Sequence, residues 1–252
     1  MNLKRFFNNP LLFLLIAFLA IEPLSRLLRG GPGAMISWLM DEILLLPAII
    51  IALSFHEYAH ARAAVFCGDE TPRLQGRLTI NPAAHIDPMG FIALLFIRFG
   101  WGRPGEINTR NFKNPRRDEI IVGLAGVSMN LLLALIFGGI LKAISVAAPG
   151  WLYEGFGNTV GYVLMQVVWI NLVLMLFNLM PIPPLDGFNV AAQLFRFRYK
   201  PIYYTVYEHG MLILMAVIVF NIPGRILTRP LIGLCSLIMS GLYGIPGWFY
   251  FM

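Results

Sequence analysis

Long apolar stretches separated by short polar segments dominate the chain and predict membrane-spanning helices. Each stretch is close to or above the roughly 20 residues that a helix needs to cross a bilayer. The pattern therefore predicts an all-α polytopic membrane protein with about six transmembrane helices in a single membrane-embedded domain, residues 1–252. The predicted spans are 11–28, 43–66, 120–148, 160–180, 204–222 and 231–251.

The polar segment after the second predicted helix has a different pattern. Residues 73–80 alternate between polar and apolar over their last five positions, which favours a short strand or hairpin. An apolar run at 89–97 follows, and its nine residues are too few to cross a bilayer. We therefore expect a small β-hairpin and a re-entrant or interfacial element at this point of the chain.

Composition and charge agree with a membrane protein. Hydrophobic residues make up 58% of the chain and charged residues 13%, and the net charge is +6. A basic soluble protein would suggest a nucleic-acid partner, but here the basic residues lie in short loops between apolar stretches. If the amino terminus is cytoplasmic and 89–97 does not cross, fourteen Lys and Arg residues lie inside and four outside. We predict a multi-pass cell-membrane protein with both termini cytoplasmic and no nucleic-acid partner.

The strongest chemical signal lies in the second predicted helix, which contains His56-Glu57-Tyr58-Ala59-His60. Histidines four residues apart share one face of a helix. Both imidazoles can then reach one zinc ion, with the intervening glutamate beside the attacking water. Ionisable side chains within an apolar helix are costly and usually functional. The alternative interpretation is a set of polar residues that form hydrogen-bonded pairs between helices.

A catalytic zinc usually has three protein ligands, and Asp186 is a candidate for the third. It follows a proline-broken helix end, at the same membrane face as the histidines by the charge count. If 89–97 crossed instead, a bilayer core of about 30 Å would separate Asp186 from the histidines. An Asp-Gly pair after prolines is also typical of a plain turn, but the histidine pair favours a metal ligand.

Other polar residues are interpreted as structural. His85 and Asp87 are expected to fix a loop through hydrogen bonds rather than bind a metal. Asn130 and Asn171 are expected to be helix-contact residues.

Several further stretches match one family pattern. They are 76–82, 85–88, 111–117, 124–126 and 178–187, in addition to His56-Glu57-Tyr58-Ala59-His60. Together they resemble the site-2 protease family of intramembrane zinc metalloproteases, particularly its compact prokaryotic members. The resemblance covers about 47–187, with accessory spans at 11–28, 204–222 and 231–251. Family members often have Ala-Gly-Pro where this chain has Ala125-Gly126-Val127.

The resemblance implies a zinc metalloendopeptidase with one Zn²⁺ per chain, held by His56, His60 and Asp186. It implies that Glu57 is the general base and that Asn178 contacts the substrate backbone. The implied substrates are membrane proteins or signal or anchor peptides within the lipid bilayer. Substrate selection would then depend on the loops or on a regulatory membrane partner.

A helical substrate hides its carbonyl groups in backbone hydrogen bonds, so it must unwind before hydrolysis. The predicted strand offers an edge to which an extended peptide could pair. The substrate-binding residues predicted in this strand are Arg77, Leu78, Thr79 and Ile80.

Two alternatives stay open at the level of sequence. A zinc- or ion-handling membrane transporter would explain intramembrane His and Asp residues. It would also predict polar residues along several spans, and the last two spans have almost none. A non-enzymatic binding protein would require the loss of Glu57 or of a ligand, and all of these residues are present.

Overall fold

The computed structural model describes residues 10–88, 90, 102–103, 105–148 and 150–245. The architecture is helical throughout this part of the chain. The α-helices are α1 (Pro10–Cys67), α2 (Thr71–Leu74), α3 (Pro82–His85), α4 (Pro115–Ala147), α5 (Gly155–Asn178), α6 (Asp186–Leu194), α7 (Pro201–Glu208), α8 (Gly210–Val219) and α9 (Ile222–Ser236). Short 3₁₀-helices lie at Thr109–Asn111 and Trp151–Tyr153, and a π-helix at Leu237–Leu242 extends α9.

Four helices in the described part are long and apolar enough to cross a membrane, so the chain has the composition of a multi-pass membrane protein. The helices α7 and α8 form a fifth span if they are counted as one span bent by 56°. The prediction of a helical, polytopic protein is confirmed, but the predicted count of six spans is not supported. The four helices are Pro23–Cys67, Pro115–Ala147, Gly155–Asn178 and Ile222–Leu242.

The start of the chain contains the first two predicted spans. The predicted spans 11–28 and 43–66 both lie on α1. The Gly- and Pro-rich segment between them contains a kink at Gly31, where φ is 69° and ψ is −171° and two helical stretches meet. Pro32 follows directly, and proline is well tolerated in the first turn of the helix that resumes after the break.

The predicted strand at 73–80 is wrong. The segment begins inside α2, which has Pro72 in its first turn. Gly76 then adopts a φ of 69°, a value that reverses the chain and that glycine reaches without steric cost. Local bonds from Gly76 N to Arg73 O (3.0 Å) and from Arg77 N to Pro72 O (2.8 Å) satisfy backbone groups that a strand would offer to a neighbour.

Extended pairing among the described residues is limited to one isolated antiparallel bridge, between Ile86 and Gly102. The run at 89–97, which we expect not to cross the bilayer, lies outside the described residues except for Gly90. The end of the last predicted span, 246–251, also lies outside them.

The chain divides into two compact units, residues 1–46 with 86–103 and residues 47–85 with 104–252. Every side chain discussed below belongs to the second unit. There, α4 packs against α5 and α6. Leu141, Met165 and Leu172 are fully buried in the core around α4 and α5. Side chains in such an interior are closely packed.

A buried polar network connects α4 to α6. Glu119 Oε2 accepts hydrogen bonds from Gln193 Nε2 at 2.6 Å and from Arg198 Nε at 3.1 Å. Arg116 Nε, one turn earlier on α4, donates to Gln193 O at 3.1 Å. The network therefore attaches α6, the helix that begins at Asp186, to α4.

A second polar cluster, centred on Asp69, holds together the segments 69–71 and 108–111. The buried Asp69 carboxylate accepts hydrogen bonds from Asn108 N and Asn111 Nδ2, both at 2.7 Å, and from Thr71 N at 3.2 Å. Burial alone would raise the pKa of the Asp69 carboxyl group. The hydrogen bonds from Thr71, Asn111 and Asn108 favour its charged form and hold the pKa below the ordinary value of 3.8.

Candidate metal centre

Two buried histidines on α1 form one side of the site. His56 is 5% exposed and His60 is 8% exposed. Because they are four residues apart on a helix, their imidazoles lie on the same face. The two Nε2 atoms approach to 3.0 Å.

Asp186 completes the group from a different part of the chain. Leu185 before it has extended backbone (φ −67°, ψ 155°), and Asp186 is the first residue of α6. Its Oδ2 lies 3.2 Å from His56 Nε2 and 3.1 Å from His60 Nε2. The three candidate ligands from the sequence, which are up to 130 positions apart, are therefore brought together.

The three atoms have the spacing that a small metal ion requires. Atoms bound at about 2.0–2.2 Å to one tetrahedral zinc lie roughly 3.3–3.5 Å from one another, close to the 3.0–3.2 Å observed here. His56, His60 and Asp186 are the group of three metal-ligating side chains found in the described part of the chain. Imidazole and carboxylate donors also suit zinc chemically.

The second nitrogen of each imidazole faces an oxygen acceptor. His56 Nδ1 lies 2.6 Å from Asn130 Oδ1, and His60 Nδ1 lies 2.7 Å from Val122 O. Such oxygens accept hydrogen bonds, so both Nδ1 atoms carry a proton and donate. In neutral rings, the lone pairs of both Nε2 atoms then point towards the Asp186 carboxylate. A cation bound between these three acceptor atoms would stabilise their arrangement.

Gly126 allows α4 to approach the histidine pair. A Cβ atom at this position would lie 2.4 Å from His60 Nε2 and 2.5 Å from His56 Cε1. No larger residue fits there unless the imidazoles move. Sequence reasoning placed Gly126 in a family-like stretch without giving it a role. A glycine inside an apolar helix, where it weakens the helix, is the signal that could have identified it.

Two of the candidate metal ligands, His60 and Asp186, line a cavity of about 620 Å³, a size typical of ligand pockets. Glu57 lines this cavity and is half-buried. The candidate base therefore faces the same space as His60 and Asp186. The other polar and aromatic side chains of the lining include Arg77, His85, Asn189, Tyr203, Tyr204 and Tyr207.

Of the predicted substrate-binding residues, only Arg77 is among those that line the cavity. Arg77 lines the cavity, and its Nη1 donates a hydrogen bond to Ala84 O. Asn178, the last residue of α5, is half-buried and donates from Nδ2 to Leu174 O at 3.0 Å. It is not among the residues that line this cavity.

The loop after α2 is fixed by His85. His85 Nε2 lies 2.6 Å from the carbonyl oxygen of Thr79, in agreement with the loop-fixing role expected from the sequence. Leu78, Thr79 and Ile80 are not among the lining residues of the cavity, and 52% of Ile80 is exposed.

The part of the chain that contains Asn178 and Asp186 matches a known protein family. The family described as "Peptidase family M50" matches residues 144–220. This segment contains Asn178 and Asp186 but not the two histidines.

Curated relatives extend the similarity. "Putative zinc metalloprotease YwhC" of Bacillus subtilis (strain 168) is 42% identical over 146 residues, which cover 58% of this chain and 66% of that protein, just under two thirds. "Putative zinc metalloprotease Rip2" of Mycolicibacterium smegmatis is 28% identical over 185 residues, covering 72% of this chain and 68% of that protein. The Rip2 protein of Mycobacterium tuberculosis (strain H37Rv) is 28% identical over 173 residues, covering 62% and 63%. No solved structure matches this chain.

Proposed function

Because the chain belongs to peptidase family M50, the site-2 protease family, we propose that it is a zinc metallopeptidase that hydrolyses peptide bonds of membrane-embedded substrates. The observation that carries the proposal is the convergence of His56 Nε2, His60 Nε2 and Asp186 Oδ2 within 3.2 Å of one another. These atoms lie beside a cavity that Glu57 also lines.

In this proposal His56, His60 and Asp186 hold one zinc ion per chain. When bound, zinc polarises a peptide carbonyl and makes water acidic enough to lose a proton near neutral pH. The protein contributes the arrangement of the ligands. The two Nε2 atoms and one carboxylate oxygen are the three metal ligands, and the Nδ1 protons of both imidazoles are directed away from them. The side that faces the cavity stays open to substrate.

Glu57 moves the proton. It follows His56 on α1 and lines the cavity, so its carboxylate faces the space in which water and substrate meet. It accepts a proton from the attacking water and later donates one to the leaving amine. An amide cannot accept this proton, so Glu57→Gln should preserve the site and abolish hydrolysis.

Arg77 and Asn178 bind the substrate backbone in this proposal. Arg77 is supported by its place in the cavity lining. Asn178 is supported by its position at the end of α5, eight residues before Asp186 in the chain. Strand pairing by 73–80 is not part of the mechanism, because this segment is not a strand.

The substrate class follows from the location of the histidines on a helix with the length and composition of a membrane span. A soluble peptide has no reason to partition into such a site, whereas a membrane protein or a signal or anchor peptide already lies in the bilayer. Both termini are proposed to be cytoplasmic, and a membrane partner is proposed to regulate access.

The test is cleavage of a transmembrane peptide by the purified, zinc-loaded protein in detergent, followed by mass spectrometry of both fragments. Wild-type protein should cut the peptide, and Glu57→Gln should bind zinc but release no fragments. A matched peptide whose apolar segment is replaced by a soluble sequence should be cut far more slowly. Equal cleavage by Glu57→Gln and wild type would refute the mechanism, and equal cleavage of both peptides would refute the substrate class.

A further inference from the structure

A chain of hydrogen bonds extends from His56 across three helices. His56 Nδ1 on α1 lies 2.6 Å from Asn130 Oδ1 on α4. Asn130 Nδ2 lies 2.9 Å from Asn171 Oδ1 on α5, and Asn171 Nδ2 lies 2.8 Å from Val167 O one turn earlier. Both asparagines are fully buried. We refer to His56, Asn130, Asn171 and Val167 as the asparagine relay.

Backbone carbonyl groups determine the direction of every bond in the relay. Val167 O can only accept, so Asn171 uses its Nδ2 there and turns its Oδ1 towards Asn130. Asn130 must then donate from Nδ2, and the same nitrogen also faces Ala52 O at 3.2 Å. Its Oδ1 is left facing His56 Nδ1, which must carry the proton.

The consequence is a single tautomer of His56. With the proton on Nδ1, the Nε2 lone pair faces His60 and Asp186. His60 obtains the same tautomer from Val122 O, a backbone atom that no side-chain substitution removes. His56 differs because its tautomer depends on a side chain.

Helix adhesion is the simpler role for two buried asparagines between apolar helices. Hydrogen bonds between transmembrane helices stabilise their packing, and adhesion alone would need neither a fixed amide direction nor a bond to a histidine. The relay has both, and a partner on the second ring nitrogen is the feature that orients metal-binding histidines in general.

We infer that Asn130 and Asn171 are positioning residues, which hold His56 in the tautomer and ring orientation that binds the metal ion. Asn130 acts directly on His56, and Asn171 fixes the direction of the Asn130 amide. This inference rests on the proposed function, because it assumes that His56 is a ligand.

Zinc affinity of the detergent-solubilised protein, measured by competition with a chelator, is the first test. Asn130→Leu removes the acceptor at similar volume and should weaken zinc binding by roughly 10- to 100-fold. Asn171→Leu leaves the bond from Asn130 to Ala52 in place and should have a smaller effect in the same direction. Leu172→Ala, a fully buried core position on the same helix, is the control for destabilisation alone and should leave zinc affinity unchanged.

The second readout is nitrogen NMR of the four histidines in metal-free protein, assigned by substituting the other three. His56 should carry its proton on Nδ1 in wild type and should become a mixture of tautomers in Asn130→Leu. If that variant does not fold, Asn171→Leu serves in both measurements. Wild-type zinc affinity in a folded Asn130→Leu, or a loss no greater than that in Leu172→Ala, would overturn the inference. A wild-type protein that binds no zinc would instead refute the proposed function. The tautomer of His56 would still show whether Asn130 and Asn171 hold its proton on Nδ1.

Discussion

Substitution of Gly126 by alanine is a sharp test of the candidate site, because it adds one methyl group at the point where α4 meets the histidines. The new Cβ would lie 2.4 Å from His60 Nε2 and 2.5 Å from His56 Cε1, whereas ordinary contact begins at 3.4 Å. One or both imidazoles must therefore move by about 1 Å. Metal sites tolerate deviations of only about 0.2 Å in ligand distance.

The expected result is a folded protein that binds zinc poorly. We expect a loss of at least about 100-fold in zinc affinity, the upper end of what displaced supporting groups produce, with a parallel loss of peptide cleavage. Helix stability should not fall, since alanine is favoured over glycine in a helix by about 1 kcal/mol. Zinc competition with a chelator and thermal unfolding in detergent measure the two quantities separately.

Gly139→Ala provides the matched control on the same helix. A Cβ there would meet Tyr243 Oη at 3.5 Å, an ordinary contact, so this variant should retain zinc and activity. Wild-type zinc affinity in Gly126→Ala would show that the imidazoles do not occupy the positions described, and would refute the geometry of the site.

Three further substitutions test other parts of the account. Asp186→Ala should lower zinc occupancy while the protein stays folded, and full occupancy by metal analysis would remove Asp186 from the ligand set. Arg198→Met leaves the buried Glu119 carboxylate without its cation and should destabilise the protein by about 3 kcal/mol; an unchanged melting temperature in detergent would contradict the importance of this ion pair. Asp69→Asn should cost about 1–3 kcal/mol near neutral pH because it replaces a carboxylate that accepts several hydrogen bonds. The folded-state pKa of Asp69 is lowered, so this stabilisation is present above the ordinary value of 3.8 and lost as the pH falls through the lower, folded-state value. Melting curves of wild type and Asp69→Asn should therefore approach each other at acid pH, and a difference that stays constant as the pH falls well below 3.8 would contradict that reasoning.

Local sequence patterns predicted the histidine pair because the geometry of a helix alone brings positions 56 and 60 to one face. Asp186 was accessible from sequence for another reason. The charge distribution limits which loops share a membrane face, and the structure places the carboxylate beside the two imidazoles.

Tertiary packing was not accessible in this way. The close approach at Gly126 and the partnership of Asn130 with His56 depend on how α4 lies against α1, which no local pattern encodes. The strand prediction failed because five alternating residues do not reveal whether a partner strand exists. The span count differs in part because α7 and α8, which cover most of the predicted span 204–222, are bent by 56° and form a span only when they are counted together.

The central claim is that one zinc ion, bound by His56, His60 and Asp186, makes this chain a peptidase. The most direct test is to remove metal from the purified protein and restore zinc in known amounts while cleavage of a transmembrane peptide is measured. The account predicts no cleavage without metal, a rise that is complete at one zinc per chain, and no cleavage at any zinc level by Glu57→Gln. Full cleavage by the metal-free protein, or a rise that is the same in Glu57→Gln, would contradict it.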